Sequence, residues 1–286
     1  MSTGKMNFSL TINQKKHFFS KPIIMGILNV TPDSFYDGGM YHSEKDLLMH
    51  VDKMINEGAT IIDIGAISTK PGAEEISEEQ ELEKLLQTLN LIVNHFPDTI
   101  ISVDTYRSKI AKSVLENGAH IINDISGGTF DNNMFSVIAE YNSPYIMMHI
   151  QGTPKDMQKN PQYKNVVAEI KLFFEQQLSK LNKLGITKNI ILDPGFGFGK
   201  TLEHNYKLLK HLKSFEDLGY PILAGVSRKS MINKVLKSNP QKALNGTTVL
   251  NTIALINAAN ILRVHDVKEA MEAINLVEFF KQTNND

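Results

Sequence analysis

Residues 221–229 read Pro-Ile-Leu-Ala-Gly-Val-Ser-Arg-Lys, and residues 260–266 read Asn-Ile-Leu-Arg-Val-His-Asp. In each, a short apolar run ends on basic or donor residues: Ser227, Arg228 and Lys229 in the first, Arg263 and His265 in the second. Two late strand ends furnished this way are where an eight-fold β/α barrel keeps its phosphate site. Working outward, six more Ile- and Val-rich runs occupy 23–30, 60–65, 100–104, 120–123, 144–149 and 189–193. They are nearly apolar throughout, as strands buried on both faces must be. Between them lie segments of helical spacing, such as Leu47, Val51, Met54, Ile55 and Val166, Ile170, Phe173, Phe174, Leu178, Leu181. Gly58, Gly118 and Gly185 follow periodic segments, where a left-handed helix cap belongs. The pattern predicts an α/β fold, a (β/α)8 TIM barrel with its core at about 20–282, in a single domain over 1–286. Residues 7–19 alternate Phe8, Leu10, Ile12 and then Phe18, and predict a short hairpin covering the N-terminal end of the barrel. The competing architecture is a doubly wound open sheet. Its glycine-rich first turn is missing, because the first strand ends in Asn29-Val30-Thr31-Pro32.

Composition narrows the function class. The chain has 286 residues, 42% hydrophobic and 21% charged, with a net charge of −1. That balance offers no electrostatic footprint for nucleic acid or an anionic membrane, so a bound anion should be small and locally held. The absence of cysteine excludes disulfides and thiolate chemistry. No apolar stretch approaches the ~20 residues that span a bilayer, and residues 1–16 lack a signal-peptide core. A cytoplasmic protein is expected.

Side chains at the carboxyl ends of barrel strands share one mouth. The candidates there are Asn29, Ser68 and Thr69, Asp104, Asn123 and Asp124, His149 and Gln151, Asp193, Lys229, and Arg263 with His265. Asp104, Asn123 and Asp193 are short acceptors or donor-acceptors suited to the hydrogen-bonding edge of a heterocycle. Asp124 reads as a cap, since Asn123 takes the inward place. In Gly195-Phe196-Gly197-Phe198-Gly199 the glycines let backbone approach a ligand closely while the rings offer flat faces; Phe196 is assigned to the core and Phe198 to the ligand. Residues 227–230 open a helix whose exposed N–H groups attract anions, with Arg228 read as a solvated basic face. Arg263 and His265 are two apart and project to one side of a strand, which suits a diphosphate. Met147, Met148 and Met157 are candidates for the pocket lining. The loops 31–41 and 66–77 have the polar, Gly- and Pro-containing character of covers over a site, with Asp33 and Ser34 as capping residues.

Taken in order, residues 25–39 (MGILNVTPDSFYDGG), 68–73 (STKPGA), 102–105 (SVDT), 121–125 (IINDI), 148–152 (MHIQG), 193–200 (DPGFGFGK), 227–231 (SRKSM) and 263–267 (RVHDV) resemble the dihydropteroate synthase family of folate biosynthesis. The resemblance runs from about 23 to 268. It implies a homodimeric barrel, a transferase joining 6-hydroxymethyl-7,8-dihydropterin diphosphate to p-aminobenzoate, with Mg2+ as helper and an SN1-like substitution at the pterin methylene. Carried over residue by residue, Asp104, Asn123, Asp193 and Lys229 would bind the pterin, with Met148 and Arg263 packing on its ring. Asp104, Asp193 and Lys229 would be the catalytic members. Asn29, Thr69, Arg263 and His265 would hold the diphosphate, Asn29 also bearing on the Mg2+. Phe35, Thr69, Pro71, Phe198, Gly225, Lys229 and Ser230 would shape the p-aminobenzoate pocket, where sulfonamides would compete. One stretch departs from the family: residues 65–72 read Gly-Ala-Ile-Ser-Thr-Lys-Pro-Gly where many members have Gly-Gly-Glu-Ser-Thr-Arg-Pro-Gly, so Lys70 keeps a charge without the bidentate fork of arginine.

Two other functions fit part of this pattern. A methyltetrahydrofolate-to-corrinoid methyltransferase would also surround a pterin with Asp and Asn, but it needs no diphosphate site. A catalytically dead binding or assembly protein would not need the full set of strand-end polar residues.

Overall fold

The structure, a computed structural model, describes residues 8–30, 43–67 and 76–283. The chain opens with an antiparallel hairpin, β1 (Phe8–Ile12) and β2 (Lys15–Phe19). Asn13 and Gln14 both take positive φ, the two-residue turn that matches the twist of paired strands. Then come β3 (Ile23–Asn29), α1 (Glu44–Asn56), β4 (Ile61–Gly65), α2 (Glu78–His95), β5 (Ile100–Asp104), α3 (Ser108–Glu116), β6 (Ile121–Asp124), α4 (Met134–Tyr141), β7 (Tyr145–Met148) and α5 (Val166–Lys183). The chain ends with β8 (Ile190–Asp193), α6 (Leu202–Lys210), β9 (Leu223–Ala224), α7 (Ser230–Leu236), α8 (Leu244–Ile256), β10 (Ile261–Val264) and α9 (Val267–Gln282). Helix starts follow local chemistry: Ser77 and Gln80 form a reciprocal capping box on α2, and Asn165 accepts from two backbone N–H groups of α5.

Eight parallel strands run in the order β8-β7-β6-β5-β4-β3-β10-β9. A parallel bridge, Leu192 to Ile222, brings the two ends of that order together, so the sheet closes as a barrel and the open doubly wound alternative falls. Of the expected runs, 221–226 shortens most. Only Leu223 and Ala224 pair in register with β10, while Ile222, bridged to Leu192, gives its N–H to the Asn260 side chain at 2.8 Å. Gly58, Gly118 and Gly185 all take positive φ beyond helices, as their positions predict.

The period of two along each strand decides what the barrel encloses. Ile23, Met25, Ile61, Ile100, Ile121, Ile146, Ile191, Leu223 and Ile261 form one buried cluster inside the barrel, closed from below by Leu10 and Ile12 of the hairpin. The hairpin therefore covers the N-terminal end, and Asn189 fixes it there by accepting from Thr11 N–H at 2.8 Å and donating to Thr11 O at 3.1 Å. Two residues further along the same strands stand Asp63, Ser102, Asn123, Met148, Asp193, Gly225 and Arg263. An aliphatic floor thus supports a polar layer at the carboxyl ends. The alternate residues, including Ile62, Val103, Tyr145, Met147 and Leu192, pack outward under the helices.

Candidate active site

Asp63 of β4, Asp104 of β5, Asn123 of β6 and Arg263 of β10 meet in one cluster. Arg263 donates through Nε to Asp63 Oδ2 at 2.7 Å and through Nη2 to Asp104 Oδ2 at 3.1 Å. Asn123 Nδ2 donates to the same Asp63 oxygen at 3.0 Å. A guanidinium between two carboxylates keeps a charged group tolerable in a nearly dry site. Burial pushes Asp104 up to about 7; Arg263 opposes that shift and the Asp63 charge adds to it. Asp63 Oδ1 and Ser102 Oγ, in register across β4 and β5, have no partner among the described residues.

Opposite this cluster, Asp193 ends β8. Its Oδ1 accepts from Gly195 N–H at 2.7 Å, which leaves the other oxygen for a ligand. Burial raises its pKa while the Lys229 ammonium pulls it back. Lys229 caps the start of α7 and donates to the Phe196 carbonyl, its Nζ lying 4.7 Å from the centre of the Phe198 ring. Burial holds this lysine down to about 8 against the pull of Asp193. A methyl group at Gly225 would touch Arg263 Cβ and Lys229 Nζ, each at 3.8 Å, so the two late strand ends do converge.

The Gly-Phe-Gly-Phe-Gly loop lies flat against the end of β7. Gly195 has φ 72°, and a Cβ there would come within 2.0 Å of the His149 carbonyl. Phe196 is fully buried, whereas Phe198 is half-buried against Ile125, Met148, Ile150 and Met157. Lys200 anchors the loop from below: its Nζ lies 3.1 Å from His149 Nδ1, 3.2 Å from His149 O and 2.9 Å from Phe198 O. Burial lowers the pKa of Lys200 and, with Lys200 beside it, that of His149.

At the end of β10, Ser227 Oγ accepts from His265 N–H at 3.3 Å and lies 3.0 Å from its Nδ1. When Ser227 donates to Nδ1, the ring hydrogen sits on Nε2, a neutral donor available to an anion. Burial, with Arg263 and Arg228 near, holds this imidazole down to about 4. His265 is therefore a donor at neutral pH, and Arg263 carries the charge of the pair. Asn29, half-buried at the end of β3, lies beside Gly65: a Cβ on that glycine would stand 3.7 Å from Asn29 Oδ1 and 3.5 Å from Asp104 Cβ. Ser230 is exposed on the first turn of α7.

Several expectations need correction, and others fall outside the described residues. Arg228 is not a solvated basic face. At φ 55° its guanidinium pairs with both carboxylate oxygens of Asp266, tying α7 to α9. Met147 faces outward into the helical layer, while Met148 and Met157 do pack at the mouth. Gln151 spends both ends of its amide on the Gln162 backbone, and His149 Nδ1 is taken up beside Lys200 Nζ. Asp124 is structural as expected, although it ties down a turn and not a helix: it accepts from Ser126 N–H, Gly128 N–H and Tyr145 O–H at 2.6 to 2.8 Å. Ser68, Thr69, Lys70 and Pro71, together with Asp33, Ser34 and Phe35, lie outside the described residues. The sequence reading missed Asp63, although a carboxylate in the middle of the apolar run 61–65 had to be paired. It also gave Lys200 no task.

Comparison with known proteins agrees with this geometry. The family model described as pterin binding enzyme matches residues 25–265. The dihydropteroate synthase of Escherichia coli is 46% identical over 260 residues, spanning 91% of this chain and 92% of the relative; that of Haemophilus influenzae is 42% identical over 268 residues, spanning 93% and 97%. Among solved structures, the Yersinia pestis dihydropteroate synthase with a sulfonamide drug complex superposes with a TM-score of 0.90 at 40% identity, covering 96% of this chain and all of the other (100%). The Xanthomonas albilineans dihydropteroate synthase with 4-aminobenzoic acid gives 0.88 at 32% identity, covering 98% and 100%. With its polar layer set at the carboxyl ends of a closed barrel, the chain belongs to the pterin-binding enzymes and, among them, to the dihydropteroate synthases, transferases of folate biosynthesis.

Proposed function

We propose that Asp104, Asn123, Asp193 and Lys229 grip the dihydropterin, that Met148 and Arg263 pack on its ring, and that Asn29, Arg263 and His265 hold the diphosphate. The convergence of Arg263, Lys229 and Gly225 beside Asp193 carries this assignment, because it puts cations and a neutral donor next to acceptors suited to a heterocycle edge. The methylene C–O bond breaks first and its electron pair leaves on the diphosphate, where Arg263 and His265 offset the developing charge. Asp104 and Asp193, as carboxylates beside the ring, stabilise the cation left behind. The aromatic amine of p-aminobenzoate then forms the C–N bond and loses a proton. Phe198 offers that amine a flat wall; Gly225 and Ser230 lie alongside, with Phe35, Thr69 and Pro71 completing the pocket by family resemblance. Sulfonamides compete for the same wall.

Mg2+ fits the donor set in a particular way. Among the described residues no group of three or more His, Cys, Asp or Glu gathers to hold a metal. An ion that keeps most of its waters and takes the rest of its oxygens from a substrate diphosphate needs only one or two protein ligands. Asn29 Oδ1 would be that ligand, in the space that Gly65 leaves open by having no side chain. When bound, the ion neutralises charge on the leaving diphosphate. The proposed protein works in the cytoplasm as a homodimer, and the association is supported by the exposed apolar side chains of Ile256 on α8 and Leu276, Phe279 and Phe280 on α9. A coupled assay of diphosphate release tests the whole assignment: release should require both substrates and Mg2+, and release without p-aminobenzoate dependence would overturn it.

A further inference from the structure

Asp63 lies behind the hydrogen-bonding groups of the mouth. It is wholly buried in mid-strand on β4, in the layer above the aliphatic floor. Its Oδ2 accepts from Asn123 Nδ2 at 3.0 Å and from Arg263 Nε at 2.7 Å. An ionised carboxylate only accepts. The Asn123 amide therefore has one allowed orientation, because turning it over would set its carbonyl against the carboxylate, two acceptors face to face away from water. In the allowed orientation the second hydrogen of Nδ2 and the carbonyl oxygen Oδ1 are left for a ligand, a donor beside an acceptor. A ring nitrogen next to an exocyclic amine, one edge of a 2-amino-4-oxo pterin, complements that pair: the nitrogen accepts and the amine donates.

We propose that Asp63 is a positioning residue that sets the specificity of the pocket, acting through Asn123 to admit a 2-amino-4-oxo ring and to reject its 2,4-dioxo counterpart, in which donor and acceptor on that edge are exchanged. The proposal rests on the pterin reading of the mouth. Arg263 does not depend on Asp63 alone, since Nη2 also holds Asp104 at 3.1 Å. Loss of Asp63 therefore frees the Asn123 amide to turn while the guanidinium keeps one partner.

Calorimetric binding of 6-hydroxymethylpterin and 6-hydroxymethyllumazine to the wild type, Asp63→Ala and Asp63→Asn tests this. The ratio of the two affinities, taken on one preparation, does not depend on the fraction folded. The wild type should prefer the pterin by on the order of 100-fold or more, as sites built to pair a polar edge do. In Asp63→Ala the preference should narrow at least ~10-fold, about the worth of one charge-assisted hydrogen bond. In Asp63→Asn, whose own amide can turn to offer either group, it should narrow to a lesser degree; this size-conserving variant carries the test if the alanine variant does not fold. An unchanged ratio, with both ligands weakened equally, would overturn the proposal and leave Asp63 as a counter-charge for Arg263. A wild type that binds neither ligand would overturn the pterin reading itself.

Discussion

Lys229 and Asp193 form one pair of side chains that holds a loop in the fold and to which the proposed function also gives the chemistry. Each is drawn out of water, and each makes the charge of the other tolerable. Their remaining bonds go to backbone, Lys229 to Phe196 O and Asp193 to Gly195 N–H, so the pair also holds the loop between them. Lys229→Ala and Asp193→Ala should each lower the rate of diphosphate release by roughly 100-fold or more, the scale of removing a preorganised charge from a developing ion. Circular dichroism should show both variants folded, and wild-type turnover in either would reject the assignment. Because burial brings the lysine down to about 8 from 10.5, its ammonium is lost as pH rises through about 8. Pterin affinity of the free protein should fall above that pH, and Lys229→Arg, which stays charged, should flatten the limb even if it binds more weakly. The stability sign is opposite. The folded pKa lies below the unfolded one, so the cost of burying the charged lysine is present below about 8 and is relieved as pH rises toward 10.5.

At the scale of elements, the strand ends were legible in the sequence because polar residues stood out where apolar runs stopped. Asp104, Asn123, Asp193, Lys229, Arg263 and His265 could all be placed on that ground, and the burial of Phe196 in the core was legible too. Asp63 escaped notice because it interrupts a run instead of ending it. Only the register of β4 against β5 and β3 shows that it shares a face with Ser102 and faces the barrel interior. Arg228 was misread because its partner, Asp266, lies 38 positions away across two helix starts, a pairing that spacing within one segment cannot reveal. The hairpin was visible as alternation, yet its function depends on Leu10 and Ile12 completing a floor drawn from all eight barrel strands. Leu10 is buried to 1% exposure, so Leu10→Ala should destabilise the protein by roughly 2–4 kcal/mol through lost burial and an unfilled cavity. Its pterin affinity should match that of the wild type, because the floor and the mouth are opposite ends of the barrel. Denaturant unfolding and calorimetry on the same variant separate the two; a weakened affinity in protein that remains folded would show that the floor shapes the mouth.

For the whole molecule, the barrel buries its apolar floor and its inner helical faces but leaves one flank apolar. Val249, Ile253 and Ile256 share a face of α8, and Leu276, Phe279 and Phe280 share one of α9, the neighbouring helix. Ile256, Leu276, Phe279 and Phe280 are each more than half exposed, and Ile256, Leu276 and Phe280 line a groove between the two helices with Thr252 and Val277. Large apolar side chains clustered in this way mark a surface that another protein covers. Under the homodimer proposed above, the cover would be a second copy of the chain, since a two-fold axis sets the same patch against itself. This flank follows the strand that carries Arg263 and His265, with α8 leading into β10 and α9 leaving it, so covering it would brace the helices behind the diphosphate end of the mouth. Sedimentation at micromolar concentration should give twice the 32.1 kDa of one chain. Leu276→Glu combined with Phe280→Glu places four carboxylates at the shared face of a dimer and should yield a monomer. That monomer should remain folded, because these side chains are exposed in the single chain, and it should melt several degrees lower. A wild type that sediments as one chain, or a double variant that still sediments as two, would remove this face as the interface.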